Sequence, residues 1–410
     1  MIVYLRVLVV IDMQKDEFPL LVEHTQLTYL DSAATSQCPQ VVLDALASAY
    51  TTIKANAHRG QYLVSVRATE ALENARKTFA EFIHAQPDEV VFTKNTTEAL
   101  NGLARSLPLG PGDEVLVSEV EHHSNFVPWQ QEAKRVDAKF SLIPYDVLRD
   151  DLQFSSDLIT EKTKIFAVTA MSNVSGRVFA IKDFIAQVRK KNPDTIIVVD
   201  ACQLAPHFPI DVQELDADFL TFSAHKMFGP FGVGVLYGKQ GRLANLEPFL
   251  FGGSMVSRVS EHETLWLAPP ARFEAGTLDV PSIVGAARAV TYVNDIGWDT
   301  INEHEKYLLD LALERLRLIE GMNIIGHDNE HGTYGPIISF TVDGIASDDI
   351  ATICNHKGVA VRAGKHCAEP FLRAIGKSSA IRVSLALYNS PEDIDALMDA
   401  LQEAVRIFRK

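Results

Sequence analysis

Short apolar runs, too brief for helices and bounded by polar or glycine-containing segments, recur along the chain. Asp113–Val117, Thr163–Val168, Ile196–Val199, Phe219–Phe222 and Gly232–Tyr237 are such runs, and Glu89–Thr93 is a β-branched one. Unbroken hydrophobicity over so short a length marks a strand covered on both faces, the usual state of strands in a parallel sheet. Helix-forming stretches lie between several of them, an alternation that predicts a mixed, mainly parallel sheet. The pattern changes near residue 285. Thr300–Ile319 carries Leu308, Leu311, Ala312 and Ile319 on a helical period, and Ser390-Pro391-Glu392-Asp393 opens a final helix with Ile394, Leu397, Met398, Leu401 and Val405 on one face. Between these helices, Pro336–Val342, Gly358–Val361 and Ile381–Leu385 read as short strands.

The predicted organisation is α/β: an N-terminal arm over 1–28, a large domain over 29–285 on a mainly parallel mixed sheet, and a small α+β domain over 286–410. The arm opens on an apolar run, residues 2–11, interrupted by Arg6 and followed by Asp12, Lys15, Asp16 and Glu17. It is too short to span a bilayer and no small-residue cleavage site follows it, so a buried arm on a cytoplasmic protein is expected, with no membrane role.

Composition narrows the classes. With 47% apolar residues over 410 positions, the chain can bury a large core. A formal charge of −15 without any block of Lys or Arg argues against nucleic-acid binding. The four cysteines, at 38, 202, 354 and 367, include no Cys-x-x-Cys pair, so neither a disulfide framework nor a metal site is expected, and a reducing compartment fits. Cys202 and Cys354 stand in apolar contexts and read as buried hydrophobes. Cys367 differs: Gly364-Lys365-His366 precede it, a flexible turn with nearby positive charge that favours a thiolate.

Candidate chemistry lies at the ends of the apolar runs. Lys226, in Ser223-Ala224-His225-Lys226, follows one of them; a partly desolvated amine there is a candidate nucleophile for a Schiff base, with a snorkelling surface lysine as the plainer reading. Asp200 ends another. A carboxylate at that place is costly unless it meets a cation, and a protonated ring nitrogen would be one. Glu89–Thr93 runs into Lys94-Asn95-Thr96-Thr97-Glu98, where Thr96, Thr97 and a helix start could cradle a phosphate; N-capping by either threonine is the alternative.

Six ordered motifs carry a resemblance. Glu121-His122-His123-Ser124-Asn125, Ser172-Asn173-Val174-Ser175-Gly176, Asp200-Ala201-Cys202-Gln203, Ser223–Lys226, Arg272-Phe273-Glu274-Ala275-Gly276-Thr277 and Arg362–Ala368 together resemble the SufS-type (group II) cysteine desulfurases of the class V aminotransferase family, from about Tyr29 to the C-terminus. The resemblance implies a pyridoxal-phosphate-dependent transferase of fold type I. It further implies that Lys226 holds pyridoxal 5′-phosphate covalently and shuttles the α-proton, that His122 stacks on the ring and exchanges protons while His123 is structural, that Asp200 pairs with the pyridine nitrogen, and that Gln203 bonds the phenolic oxygen. Thr96, Thr97, Ser223 and His225 would hold the phosphate, with Thr277 arriving from the second subunit of a homodimer. Arg382 would bind the substrate carboxylate with help from Asn173. His58 and Arg59 would stand near the entrance and Arg362 beside the catalytic loop.

In such an enzyme the Cys367 thiolate takes sulfur from L-cysteine, releasing L-alanine and leaving a persulfide. A SufE-like or SufU-like acceptor would collect the sulfur for iron–sulfur cluster assembly. The alternatives are a selenocysteine lyase, acting on L-selenocysteine, or another class V enzyme. One departure is Lys365, where many sequences of this type carry histidine.

Overall fold

The computed structural model describes residues 15–409, so the apolar run at 2–11 lies outside the described residues. Seven strands form the central sheet: β1 (Val90–Thr93), β2 (Glu114–Ser118), β3 (Lys139–Ile143), β4 (Thr163–Thr169), β5 (Ile196–Asp200), β6 (Phe219–Ser223) and β7 (Gly234–Gly238). They run in the order β1-β7-β6-β5-β4-β2-β3, with β7 antiparallel to both its neighbours and every other pairing parallel. Every residue of β2, β5, β6 and β7 is buried, which is why these segments read as unbroken apolar runs. The edge strand β3 is half exposed and carries no such signature.

A second sheet holds the C-terminal part: β8 (Met322–Ile325), β9 (Ile337–Val342), β10 (Arg362–Gly364) and β11 (Ala380–Ser384), in the order β8-β9-β11-β10 and antiparallel throughout. The helices Trp298–Leu316, Ser347–His356 and Pro391–Phe408 accompany it, and Leu308, Leu313, Ile350, Leu397 and Leu401 share a core with β9 and β11. The last helix starts as its sequence announces, with Pro391 in its first turn and a capping box between Ser390 and Asp393. The helix predicted to reach Ile319 stops at Leu316, because the chain turns through Gly321 (φ 68°) to enter β8.

The boundary expected at 285 falls inside one continuous helix, Val280–Ile296, which packs on Gln40–Thr52 and Leu63–Phe82 and ends at Gly297 (φ 86°). The segment after the arm ties the two sheets together. Thr28–Tyr29 pairs with Val359–Ala360, Leu30 is buried in the C-terminal core, and Asp31 bridges to Ser384 of β11. Within the described part of the arm, Phe18 is buried edge-on against Tyr388 and Tyr292.

Candidate active site

Five strands of the central sheet deliver side chains from their carboxyl ends into one cavity of about 210 Å³. β5 ends in Asp200, whose strand neighbours are Thr169 and Thr221. β6 ends in Ser223 and passes through a single tight turn, Ala224–Lys226, so Ser223, His225 and Lys226 all line the cavity beside Asp200. The loop after β2 contributes His122, and the loop after β4 contributes Met171 and Asn173. From the second sheet come Arg362, His366 and Arg382, and from the N-terminal segment Ala33 and Ala34.

At the foot of β1 the chain enters the helix Thr96–Ser106, whose N-cap is Asn95: its side chain accepts the Glu98 N–H at 2.9 Å, and the Glu98 carboxylate accepts the Lys94 N–H at 2.6 Å. With Asn95 as the cap, both threonine hydroxyls are free for other work. Ser223 Oγ accepts the Thr96 N–H at 2.9 Å and donates to Thr96 Oγ1 at 3.0 Å, while Thr97 Oγ1 and Ser124 Oγ share a bond of 2.7 Å. The helix start is pressed against β7, where a Cβ on Gly234 would lie 2.5 Å from Asn95 Cα. No larger residue fits there.

The electrostatics leave this cavity unfinished. Asp200 is 4% exposed; its Oδ1 accepts the Cys202 N–H at 2.9 Å, no cation pairs with it among the described residues, and burial holds its carboxyl above the ordinary range despite the nearby Lys226. Burial, then the charges of Lys226, His123, Arg382 and Arg362, push His122 down to about 3, so its imidazole is neutral. Burial and Lys226 likewise push His225 down to about 4. Gln203 donates from Nε2 to the Ala33 carbonyl at 2.9 Å, yet among the described residues its Oε1 has no partner, and His225 Nδ1, Asn173 Oδ1 and Arg382 Nε are also buried without one. A native interior rarely leaves so many buried polar atoms unpaired in one place. A group with an anionic end toward the helix start and a cationic ring atom toward Asp200 fits what is missing.

Cys367 follows directly on His366, a residue of the cavity lining, and is itself partly exposed. His366 (φ 52°) and Cys367 (φ 53°) are consecutive left-handed residues, a conformation that non-glycine residues avoid. Three bonds hold it: the His123 N–H donates to the Cys367 carbonyl at 2.6 Å, Asn173 Nδ2 to the His366 carbonyl at 2.8 Å, and His366 Nε2 meets the Ala380 carbonyl at 3.0 Å. Lys365 turns to Glu369 at 2.6 Å.

The aminotransferase class-V family model matches residues 28–397. The chain belongs to the class V aminotransferase family. Its members are pyridoxal-phosphate enzymes of fold type I, the cofactor and fold expected from the motifs, and the unpaired atoms of the cavity fit that cofactor. Probable cysteine desulfurases of Staphylococcus epidermidis and Halobacterium salinarum are each 41% identical over 96% of both chains. Among solved structures, the cysteine desulfurase CsdA of Escherichia coli matches at TM-score 0.88 and 34% identity over 96% of this chain and 98% of its own. A cysteine desulfurase from Thermococcus onnurineus NA1 matches at TM-score 0.90 and 34% identity, over 96% and 97%.

Not every residue singled out from the sequence reaches the cavity. Thr277, His58 and Arg59 are exposed on this chain and line none of it. His58 pairs instead with Glu73 at 3.5 Å. Cys202, read as a buried hydrophobe, does line the cavity, and its N–H holds Asp200. His366 and Ser124 were missed as well, although both lie inside quoted motifs. Glu121 explains why one such motif is invested in a buried acid: it is fully buried, held by Ser118 Oγ, by Asn125 Nδ2 at 2.7 Å and by the Thr169 N–H at 2.7 Å, and burial pushes it up to about 8. It ties the His122 loop to β4.

Proposed function

We propose that this protein is a cysteine desulfurase of the SufS type, which removes sulfur from L-cysteine, releases L-alanine and passes the sulfur from Cys367 to an acceptor protein of the SufE or SufU kind for iron–sulfur cluster assembly in the cytoplasm. The reading is carried by one juxtaposition: a cysteine on a loop bonded to His123 and Asn173, next in sequence to His366, which lines the same cavity as Lys226 and the buried Asp200. The desulfurase relatives support it.

In this reading Lys226 is the attachment point of pyridoxal 5′-phosphate. Asp200 offers its buried carboxylate to the ring nitrogen, the second N–H of Gln203 reaches the phenolic oxygen, and Thr96, Thr97, Ser223 and His225 take the phosphate with the helix start. When bound, the cofactor supplies an electron sink for the pair left by the departing α-proton. Lys226 would move that proton, and the neutral His122 would accept or return one in the same cavity. Arg382 receives the substrate carboxylate, with Asn173 and Arg362 beside it. The Cys367 thiolate attacks the substrate sulfur; an S–S bond forms, the carbon–sulfur bond breaks, and its electron pair stays with the carbon skeleton, which is protonated to alanine. Thr277, exposed on this chain, would complete the site of the second subunit in a homodimer, and His58 and Arg59 would stand near the entrance.

The test is alanine and sulfide production from L-cysteine by the wild type, Lys226→Ala and Cys367→Ala, with and without an acceptor. Alanine formation that survives Lys226→Ala would overturn the assignment.

A further inference from the structure

Arg382 is 2% exposed, and a guanidinium so stripped of water needs fixed partners to stay both charged and oriented. It has two. Nη1 donates to the Asn173 carbonyl at 3.1 Å, and Nη2 donates to Asp31 Oδ1 at 3.0 Å. Nε is buried without a partner, and one hydrogen remains on each of the other nitrogens. Burial lowers the basicity of Arg382, and Asp31 is the first group that restores it. A planar fork held at one point can still swing, whereas two points on different nitrogens fix its plane.

Asp31 is itself anchored. The Leu30 N–H bonds the Ala360 carbonyl at 3.0 Å, the Ser384 N–H bonds the Leu30 carbonyl at 2.8 Å, and the Ala33 N–H bonds Ser384 Oγ at 2.9 Å. Farther along the same segment, the Ala33 carbonyl accepts from Gln203 at 2.9 Å and the Ser36 N–H donates to the His225 carbonyl at 2.9 Å. A carboxylate on so tethered a backbone acts as a brace for Arg382. It is not a gate that swings aside for substrate.

We propose that Asp31 is the positioning residue for Arg382, presenting the unpartnered guanidinium hydrogens to an incoming α-carboxylate and so making the site select for amino acids. The proposal rests on the functional reading above only for the identity of the amino acid. Asp31 holds the guanidinium, the guanidinium holds the substrate, and Asp31 touches no reacting atom.

The experiment uses the cofactor-loaded enzyme and follows the absorbance of the bound cofactor as L-alanine, which needs no turnover, or ethylamine, which lacks the carboxylate, is added. Asp31→Ala is expected to raise the Kd for L-alanine about tenfold or more, the scale of one lost hydrogen bond to a charged group. Asp31→Asn, which keeps Oδ1 as an acceptor, restores most of the affinity. Asp31→Glu, which keeps the charge but moves it by one methylene, is weakened as well and serves if the alanine variant does not fold. Ethylamine binds all four proteins alike. Unchanged or tighter L-alanine binding by Asp31→Ala and Asp31→Glu, or an equal loss for ethylamine, overturns the brace. Turnover of L-cysteine measured in parallel separates the two claims: a wild type that forms no alanine sinks the desulfurase reading, while the binding series still decides the role of Asp31.

Discussion

Glu274 lies in a motif quoted for Thr277, yet its own work is structural and can be measured. Its carboxylate takes Arg76 at 2.7 and 2.9 Å, both side chains are nearly fully buried, and its Oε1 also accepts the Phe92 N–H at 2.8 Å. Arg76 in turn donates to the Val90 carbonyl at 2.8 Å and lies 4.7 Å over the Phe92 ring, so the pair fixes β1, the strand that delivers Asn95, Thr96 and Thr97 to the cavity. Glu274→Gln keeps the shape and one acceptor but leaves the guanidinium with the half-exposed Glu73, at 3.1 Å, as its carboxylate partner among the described residues. Breaking a buried pair on one side costs about 3–5 kcal/mol. With an unfolding entropy of about 2.1 cal/mol/K per residue, the 410-residue chain has about 0.9 kcal/mol/K in total, and the expected fall in Tm is about 3–6 °C. Calorimetry at saturating cofactor reads it, since ligand binding otherwise shifts the midpoint by itself. Replacing both partners, Arg76→Met with Glu274→Leu, should recover most of the loss because no charge is then left unpaired. A shift below about 1 °C for Glu274→Gln, or a double variant worse than the single one, would refute the reasoning.

Acid stability follows from His122 at about 3, His225 at about 4 and His366 at about 3, all pushed down by burial. The unfolded chain binds protons at these residues from about pH 6.5 downward while the folded chain does not, so their contribution is complete above 6.5 and is lost as pH falls toward 3, at up to about 1.4 kcal/mol per unit for each histidine. Glu121, raised to about 8, acts in the opposite sense between its unfolded value and 8, so the steepest loss in urea midpoint of the cofactor-free protein is expected between about pH 4.5 and 4, where His225 also begins to protonate in the fold. A midpoint flat between pH 6.5 and 4 would contradict this. Asp200→Asn keeps an acceptor for the Cys202 N–H and should fold normally, but α-proton exchange should fall about 10²–10³-fold, the scale for removing one aligned electrostatic partner; exchange within tenfold of wild type would count against the cation at that place. Asn173→Ala removes one bond on the Cys367 loop and should speed alkylation of Cys367 about fivefold in the absence of substrate, as read by mass spectrometry; an unchanged rate would show that Asn173 does not hold the loop.

The sequence disclosed the central sheet where its strands are covered on both faces, as in β2 and β4 to β7, because burial there writes itself as uninterrupted hydrophobicity. It was silent on β3 and β8, edge strands whose exposed residues break the pattern. Asp200 and Lys226 were legible because an ionisable group at the end of an apolar strand is out of place without a partner. Asp31 was not, since its meaning lies in a bond to a residue 351 positions away. Cys202 is buried as its apolar neighbourhood implied, but that neighbourhood does not say which side of the chain faces a cavity. The bond from His123 to Cys367 and that from Asn173 to His366 also join distant segments, and no local pattern encodes them.

In the proposed reaction Cys367 takes sulfur from an amino acid mounted on a cofactor held by Lys226. The most direct test is the mass of the peptide containing Cys367 after the loaded enzyme meets L-cysteine without an acceptor. One added sulfur atom on Cys367 in the wild type, absent from Lys226→Ala and restored to the unmodified mass by an acceptor thiol, is the predicted result. An unmodified Cys367 in an enzyme that is releasing alanine would contradict it.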